Sequence, residues 1–176
     1  MLRVKEGELE QLNLLFERYH RVLFSFFYNM SRNVPLSEDL VQNVFMRMLK
    51  YRHRFRGDGD FKAWMFHIAK NVHFDHFRKK RISNTENVDD WQDRLRDQAP
   101  TGSQQLIEQE RMELLNKAIK KLDPEKREII IMSKLEGLKY SEIADILGTT
   151  EGNIKVKVFR AMKALKQICG EMEGLA

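Results

Sequence analysis

Apolar residues return every three or four positions through almost all of this chain, and one stretch near its middle breaks the pattern. From Leu9 to Met30 the stripe is Leu12, Leu15, Phe16, Tyr19, Leu23, Phe26, Phe27 and Met30, the spacing of one face of an α-helix. Asn33-Val34-Pro35-Leu36 interrupts it, and Ser37 is placed to cap a second helix with Glu38 and Asp39 in its first turn. That helix runs to about His53 and buries Leu40, Val44, Phe45 and Met48. Arg56-Gly57-Asp58-Gly59-Asp60 reads as a loop. A third helix follows from Phe61 to about Arg81, with Trp64, Ile68, Val72 and Asp75 on one stripe.

Between Ile82 and Gln105 the periodicity lapses apart from Trp91 and Leu95. Glu86, Asp89, Asp90, Asp93 and Asp97 face only Arg94 and Arg96, and Ala99-Pro100-Thr101-Gly102-Ser103 has the composition of a tether. Helical spacing resumes at about Leu106 with Met112, Leu115, Ala118, Ile119 and Leu122. Asp123-Pro124 then starts a further helix, which ends near Gly137 before two more short ones. The expected fold is all-α. Two small helical domains, 1–81 and 106–176, are joined by a flexible acidic linker over 82–105, and the second carries a helix-turn-helix.

Composition narrows the function. Three prolines and nine glycines in 176 residues favour long helices over a turn-rich sheet protein. The single cysteine, Cys169, excludes an intramolecular disulfide. Lys5, Glu6, Glu8 and Glu10 interrupt any leader-like apolar run, and no uncharged stretch approaches the ~20 residues of a membrane helix. The expectation is a cytoplasmic protein with no membrane insertion. Four of the five histidines lie between His53 and His76, with His73 and His76 three apart. A metal would want a third ligand at defined geometry, so no metal or cofactor is expected, and these are read as polar surface or DNA-facing side chains.

The most specific local pattern lies near the C-terminus. Ile143-Ala144, Leu147-Gly148 and Ile154 have helix-turn-helix spacing: Ala144 permits a close crossing, Gly148 the left-handed turn, and Thr150 a cap. Ile154, Val158, Ala161 and Leu165 form the inner stripe of the second helix. Lys155, Lys157, Arg160, Lys163 and Lys166 lie on its outer side, with no acid between Glu151 and Glu171. Two ordinary helices with a solvated basic face would share this pattern, but one-sided charge favours DNA in the major groove.

The helix from Phe61 to Arg81 interleaves rings with cations. Duplex DNA needs only cations, whereas unpaired bases also gain ~1–3 kcal/mol each by stacking on aromatic faces, so this mix points to opened strands. Phe61 and Trp64, on the stripe with Ile68, are read as core, and Lys70 and Arg78 through Arg81 as phosphate-facing.

Three stretches together resemble the extracytoplasmic-function group of bacterial sigma factors, over nearly the whole length. Ser37-Glu38-Asp39-Leu40-Val41-Gln42-Asn43-Val44-Phe45 is similar to that family's Glu-Asp-x-x-Gln-x-x-Phe segment. The resemblance implies that Asp39, Gln42 and Met46 meet the coiled coil on the RNA polymerase clamp, with Phe45 placed to pack either way. Phe61 through Asn71, with Asp75 and Arg78, is similar to Trp-Leu-x-x-Ile-Ala-x-Asn-x-x-x-Asp-x-x-Arg. The implied −10 element contacts are Phe55, Arg56, Gly57, Asp58, Lys62, Lys70, Asn71, Phe74 and Arg78, with the loop holding a flipped base. Asn71 and Asp75 are one turn apart and equally suited to brace each other or the loop. Leu122 through Ala161 is similar to the family's Leu-Pro-x-x-x-Arg, Glu-Gly-Leu-Ser-Tyr-x-Glu-Ile-Ala and Gly-Thr-Val-Lys-Ser-Arg-x-x-Arg-Ala runs. It implies −35 readout by Asn153, Lys155, Val156, Lys157, Phe159 and Arg160.

Departures from the family pattern bear on the promoter sequence. Val156 stands where serine is common, Asn153 replaces threonine, Lys157 replaces arginine, and Lys139 replaces a capping serine at a small cost in stability. The resemblance further implies partners: core RNA polymerase, duplex −35 and single-stranded −10 DNA, and an anti-sigma protein. A free-standing helix-turn-helix regulator would account for Tyr140–Lys166 but for neither N-terminal motif. A nuclease would need paired carboxylates for metal, for which Asp58 and Asp60 are the nearest candidates and are better read as turn formers. No enzymatic activity is expected.

Overall fold

The computed structural model describes residues 1–83 and 103–174, with side chains over 1–78 and 110–174. Helix α1 spans Leu2–Lys5, α2 Gln11–Ser31, α3 Val34–Lys50 and α4 Phe61–Ser83, with a 3-10 turn at Arg52–Arg54. Helix α5 spans Ser103–Lys121, α6 Pro124–Ile130, α7 Tyr140–Leu147 and α8 Glu151–Glu173. The fold is all-α, with no strand among the described residues. Most of the stretch read as the linker lies outside those residues, along with Trp91, Leu95 and its acids.

Helices α2, α3 and α4 form the first unit around Leu23, Phe26, Phe27, Val44, Met48, Met65 and Phe66, all fully buried. The Phe26 ring meets Phe27 and Phe66 edge-on at 5.2 and 5.4 Å, an arrangement aromatic quadrupoles favour. The second unit closes α5 to α8 over Ile119, Ile129, Ile130, Ile143 and the α8 stripe Ile154, Val158, Ala161 and Leu165. That stripe is the one read from the sequence, although α8 runs 23 residues and is not short. Asp123 caps α6 by accepting from the Lys126 N–H at 3.0 Å, with Pro124 where a missing N–H costs nothing. Past Ile130 the helix widens into a π turn over Ile131–Leu135, closed where Gly137 takes a φ of +64°.

One local expectation is corrected. Helix α3 begins at Val34, capped by Asn33, whose side-chain oxygen accepts from the Leu36 N–H at 2.9 Å. Pro35 thus lies in the first turn of the helix, and Ser37 is fully buried inside it, its hydroxyl donating to the Asn33 carbonyl at 2.6 Å. At Lys139, which starts α7, no side-chain cap bond forms, and the reciprocal half of a capping box stands alone: the Glu142 carboxylate accepts from the Lys139 backbone N–H at 2.6 Å.

The two units also pack on each other. Helix α7 lies against α4 and the π turn against α2, so the buried side chains of both units form one connected cluster. Polar contacts fix the seam. Arg32 donates to Asn116 Oδ1 at 3.0 Å, Lys62 to the Glu136 carbonyl at 2.7 Å, and Arg127 to the Met30 carbonyl at 3.4 Å.

Candidate nucleic-acid and partner interfaces

The helix-turn-helix forms as its residues dictate. Gly148 ends α7 at φ +63°, and the Thr149 N–H donates to the Ala144 carbonyl at 2.9 Å. Thr150 Oγ1 accepts from the Asn153 N–H at 3.2 Å to start α8. Burial of the inner stripe turns Lys155, Val156, Phe159, Arg160, Lys163 and Lys166 outward. Phe159 is 71% exposed and Val156 45%, large apolar groups that packing does not use. Asn153 is drawn into the turn, donating to Thr149 Oγ1 at 2.8 Å. Lys155 pairs with Glu151 at 2.8 Å, which raises its pKa. Lys157 reaches Glu125 of α6.

In the first unit the sequence-predicted −10 residues divide. Arg56, Gly57, Asp58, Asn71, Phe74 and Arg78 are exposed, Phe74 by 61%. Phe55 is not available: it is 7% exposed, its ring packed on Trp64 at 5.1 Å and Phe61 at 6.0 Å. The ring following a 3-10 turn covers the end of the aromatic cluster, so it anchors the loop. Asp60 caps α4, accepting from the Lys62 N–H at 2.6 Å; that bond is the main reason its pKa is lowered, with Glu142 and Lys139 of the second unit also facing it. Lys62 and Lys70 are half-buried and turned to the second unit, Lys70 reaching the Ile146 carbonyl at 3.5 Å. Asn71 pairs with His67 at 3.3 Å and Asp75 with Arg47 of α3 at 2.8 Å, so neither braces the other. Arg47, Arg54, Arg56, His67 and Asn71 line an open groove of about 910 Å³, with Asp145 and Ile146 of α7 on its far wall.

His73 is a strongly shifted histidine. Burial, helped by His76 and Arg127, lowers its pKa to about 4, and its buried Nε2 has no hydrogen-bond partner. The ring is half-buried with its Nε2 inside, which departs from the surface reading at this position.

On α3, Asp39, Gln42 and Met46 are exposed, Met46 by 67%, while Phe45 is 6% exposed. Phe45 therefore belongs to the core, tilted against Phe16 at 4.9 Å, and does not itself face a partner. Beside Gln42 a groove of about 320 Å³ runs between α3 and α2, lined by Phe16, His20, Phe24 and Glu38. The α2 side of this face was missed in the sequence. Its signal was an apolar stripe wider than one buried face needs, with Phe16 and Phe24 two turns apart.

The fold and its exposed faces define a helix-turn-helix DNA-binding protein with a second, aromatic and basic face. Two family profiles match: Sigma-70 region 2 over residues 15–82 and Sigma-70, region 4 over residues 112–165. The chain is 30% identical to RNA polymerase sigma factor CarQ of Myxococcus xanthus, covering 98% of this chain and 97% of that protein. It is 29% identical to ECF RNA polymerase sigma factor SigX of Bacillus subtilis, covering 90% and 83%. Among solved structures it resembles sigma factor RpoE of Bartonella quintana, in complex with the anti-sigma factor NepR, with a TM-score of 0.72, 26% identity and 90% and 96% coverage. The chain belongs to the ECF group of the sigma-70 family of RNA polymerase sigma factors. No helix among the described residues is long and apolar enough to cross a membrane.

Proposed function

We propose that this chain is a dissociable initiation subunit that docks on core RNA polymerase through α3 and the α2–α3 groove. It reads the −35 duplex with α8 and opens the −10 element with α4 and the loop before it. The division of labour follows the two matched regions, residues 15–82 and 112–165. The observation that carries it is the exposure of Val156 and Phe159 on α8 and Phe74 on α4: bulky apolar groups set among cations, where a solvated basic face would have none. On α8 they suit thymine methyl groups, and on α4 a ring suits an unstacked base.

The chain does no chemistry of its own in this reading; bond formation belongs to the polymerase, and Asp58 and Asp60 serve the loop. It works in the cytoplasm, where core enzyme and DNA are. Engaging the −10 strand requires Lys62 and Lys70 to exchange the second unit's carbonyls for phosphates, so α7 leaves α4 on promoter opening. A relative was solved with an anti-sigma factor, and a protein of that kind is the natural partner here.

The test is transcription by core polymerase supplemented with this chain, with transcript starts sequenced. Starts sharing two upstream motifs at fixed spacing are the expected result. Scattered starts, or a folded chain that core polymerase ignores in a pull-down, would overturn the assignment.

A further inference from the structure

Helix α1, which the sequence pattern did not reveal, rests on the loop between the 3-10 turn and α4. Four residues are far too few for a helix to hold itself together, so tertiary contacts keep it in place. Val4 is fully buried, and the Lys5 ammonium donates to the Phe55 carbonyl at 2.8 Å. Leu2 lies over Gly57: a methyl group on that glycine would come within 2.7 Å of Leu2 Cδ2. Gly57 itself has φ +84°, a conformation that few residues other than glycine adopt readily.

The loop is thus held at three points. Phe55 is anchored in the aromatic cluster, Asp60 caps α4, and α1 bears on the middle, leaving Arg56 and Asp58 exposed. A loop left free would lose its conformational entropy on binding, weakening the contact.

We infer that α1 is a positioning element for the −10 loop, with Lys5 and Leu2 setting the path along which Arg56, Gly57 and Asp58 meet the unpaired strand. This rests on the −10 reading given above, and the residues concerned touch the loop and not the DNA. The contact asks for an ammonium or a guanidinium at position 5 and for apolar bulk at position 2.

The test uses the full chain bound to core polymerase and a promoter taken from the mapped starts, with a 2-aminopurine base in the −10 strand. Lys5→Met keeps the side chain's length and removes the donor, and Leu2→Ala removes the cover from Gly57. Each should slow base opening roughly three- to tenfold, the loss expected from a few ordered bonds becoming free. Lys5→Arg should restore it, and −35 duplex affinity, polymerase association and melting temperature should stay as in the parent. Leu2 is half exposed, so its truncation leaves the fold intact should Lys5→Met disturb it. Arg56→Ala serves as the reference. If it slows opening and neither α1 variant does, α1 has no positioning role and the −10 reading stands. If Arg56→Ala is also without effect, the loop does not meet the strand and both fall.

Discussion

Glu125→Gln should make this protein bind DNA more tightly, because Glu125 holds a cation that the −35 reading assigns to a phosphate. Lys157 leaves α8 and pairs with Glu125 across the α6–α8 packing, with the two side chains 33% and 66% exposed. To reach DNA the ammonium must first break that pair. Exposed ion pairs are worth about 0.2–1 kcal/mol, so removing the competitor should raise affinity for a duplex by about 1.4- to 5-fold. Glu125 lies on the surface of a capped helix, and its loss should change stability by no more than about 0.5 kcal/mol. Fluorescence anisotropy with a short duplex over a salt series is the assay. Lys157→Ala should reduce the slope of log affinity against log salt by about 0.9, one phosphate contact, and most of the Glu125→Gln gain should vanish in that background. An equal gain with and without Lys157, or weaker binding by Glu125→Gln, would refute the reasoning, since the carboxylate would then act on DNA by some route other than this lysine.

Gly148→Ala meets no neighbouring atom within 4 Å but keeps a left-handed backbone, which costs ~1–2 kcal/mol, so the melting temperature should fall about 2–8 °C and Gly148→Asn by less. Phe45→Ala should cost ~3–5 kcal/mol as a core truncation, whereas Gln42→Ala with Met46→Ala should leave thermal melting unchanged and weaken a polymerase pull-down. His73 has a folded-state pKa of about 4 against 6.5, so the unfolded chain binds the extra proton and stability drains away as pH falls from 6.5 to 4. Melting scans of His73→Gln should show a shallower acid limb. Glu128 and Glu136, whose pKa values burial raises, act in the opposite sense, and Glu128→Gln should melt higher at neutral pH. Energy transfer between dyes on α3 and α8 should drop when core polymerase and promoter are added; an unchanged signal would mean that α7 stays on α4.

What could be read from the sequence follows the physics of each signal. The α8 stripe was legible because burial along a helix repeats at a fixed interval, and the same four positions are buried in the fold. Asp123-Pro124 and Gly148 were legible because their backbone demands are local. Ser37 was misread because Asn33 and Ser37 are both good caps, and the choice fell to Pro35, which is better placed in the first turn than before it. Helix α1 left no periodicity at all: its existence depends on the burial of Val4 and on Lys5 reaching the Phe55 carbonyl, both tertiary facts. Phe55 was assigned an outward role, and Phe45 left open to either, because an aromatic residue near cations looks the same whether its ring ends a core cluster or faces a ligand; only packing separates Phe55 from Phe74. Lys62 and Lys70 were legible as cations aimed at anions, but the carbonyls they meet come from a unit some 75 residues away and carry no sequence mark.

Those two lysines explain how one chain can be stable when closed and still open on DNA. Glu136 closes the π turn and Ile146 sits in the last turn of α7, so both carbonyls lie where unsatisfied peptide groups carry partial negative charge. An ammonium satisfies them as it would a phosphate, only less strongly, because a phosphate bears a full charge and charge-assisted hydrogen bonds are roughly twice as strong as neutral ones. The seam is further held by Arg32 on Asn116 and Arg127 on Met30, each worth about 1.5–3 kcal/mol at most, as hydrogen bonds from charged groups. A handful of such contacts around a small apolar seam holds the units together in solution, yet it can be outcompeted when a strand offers phosphates to Lys62 and Lys70 at once. The exchange is favourable only if both lysines find phosphates together, so an isolated phosphate or a short oligonucleotide should leave the units closed, and a strand long enough to span the two turns of α4 between them should not.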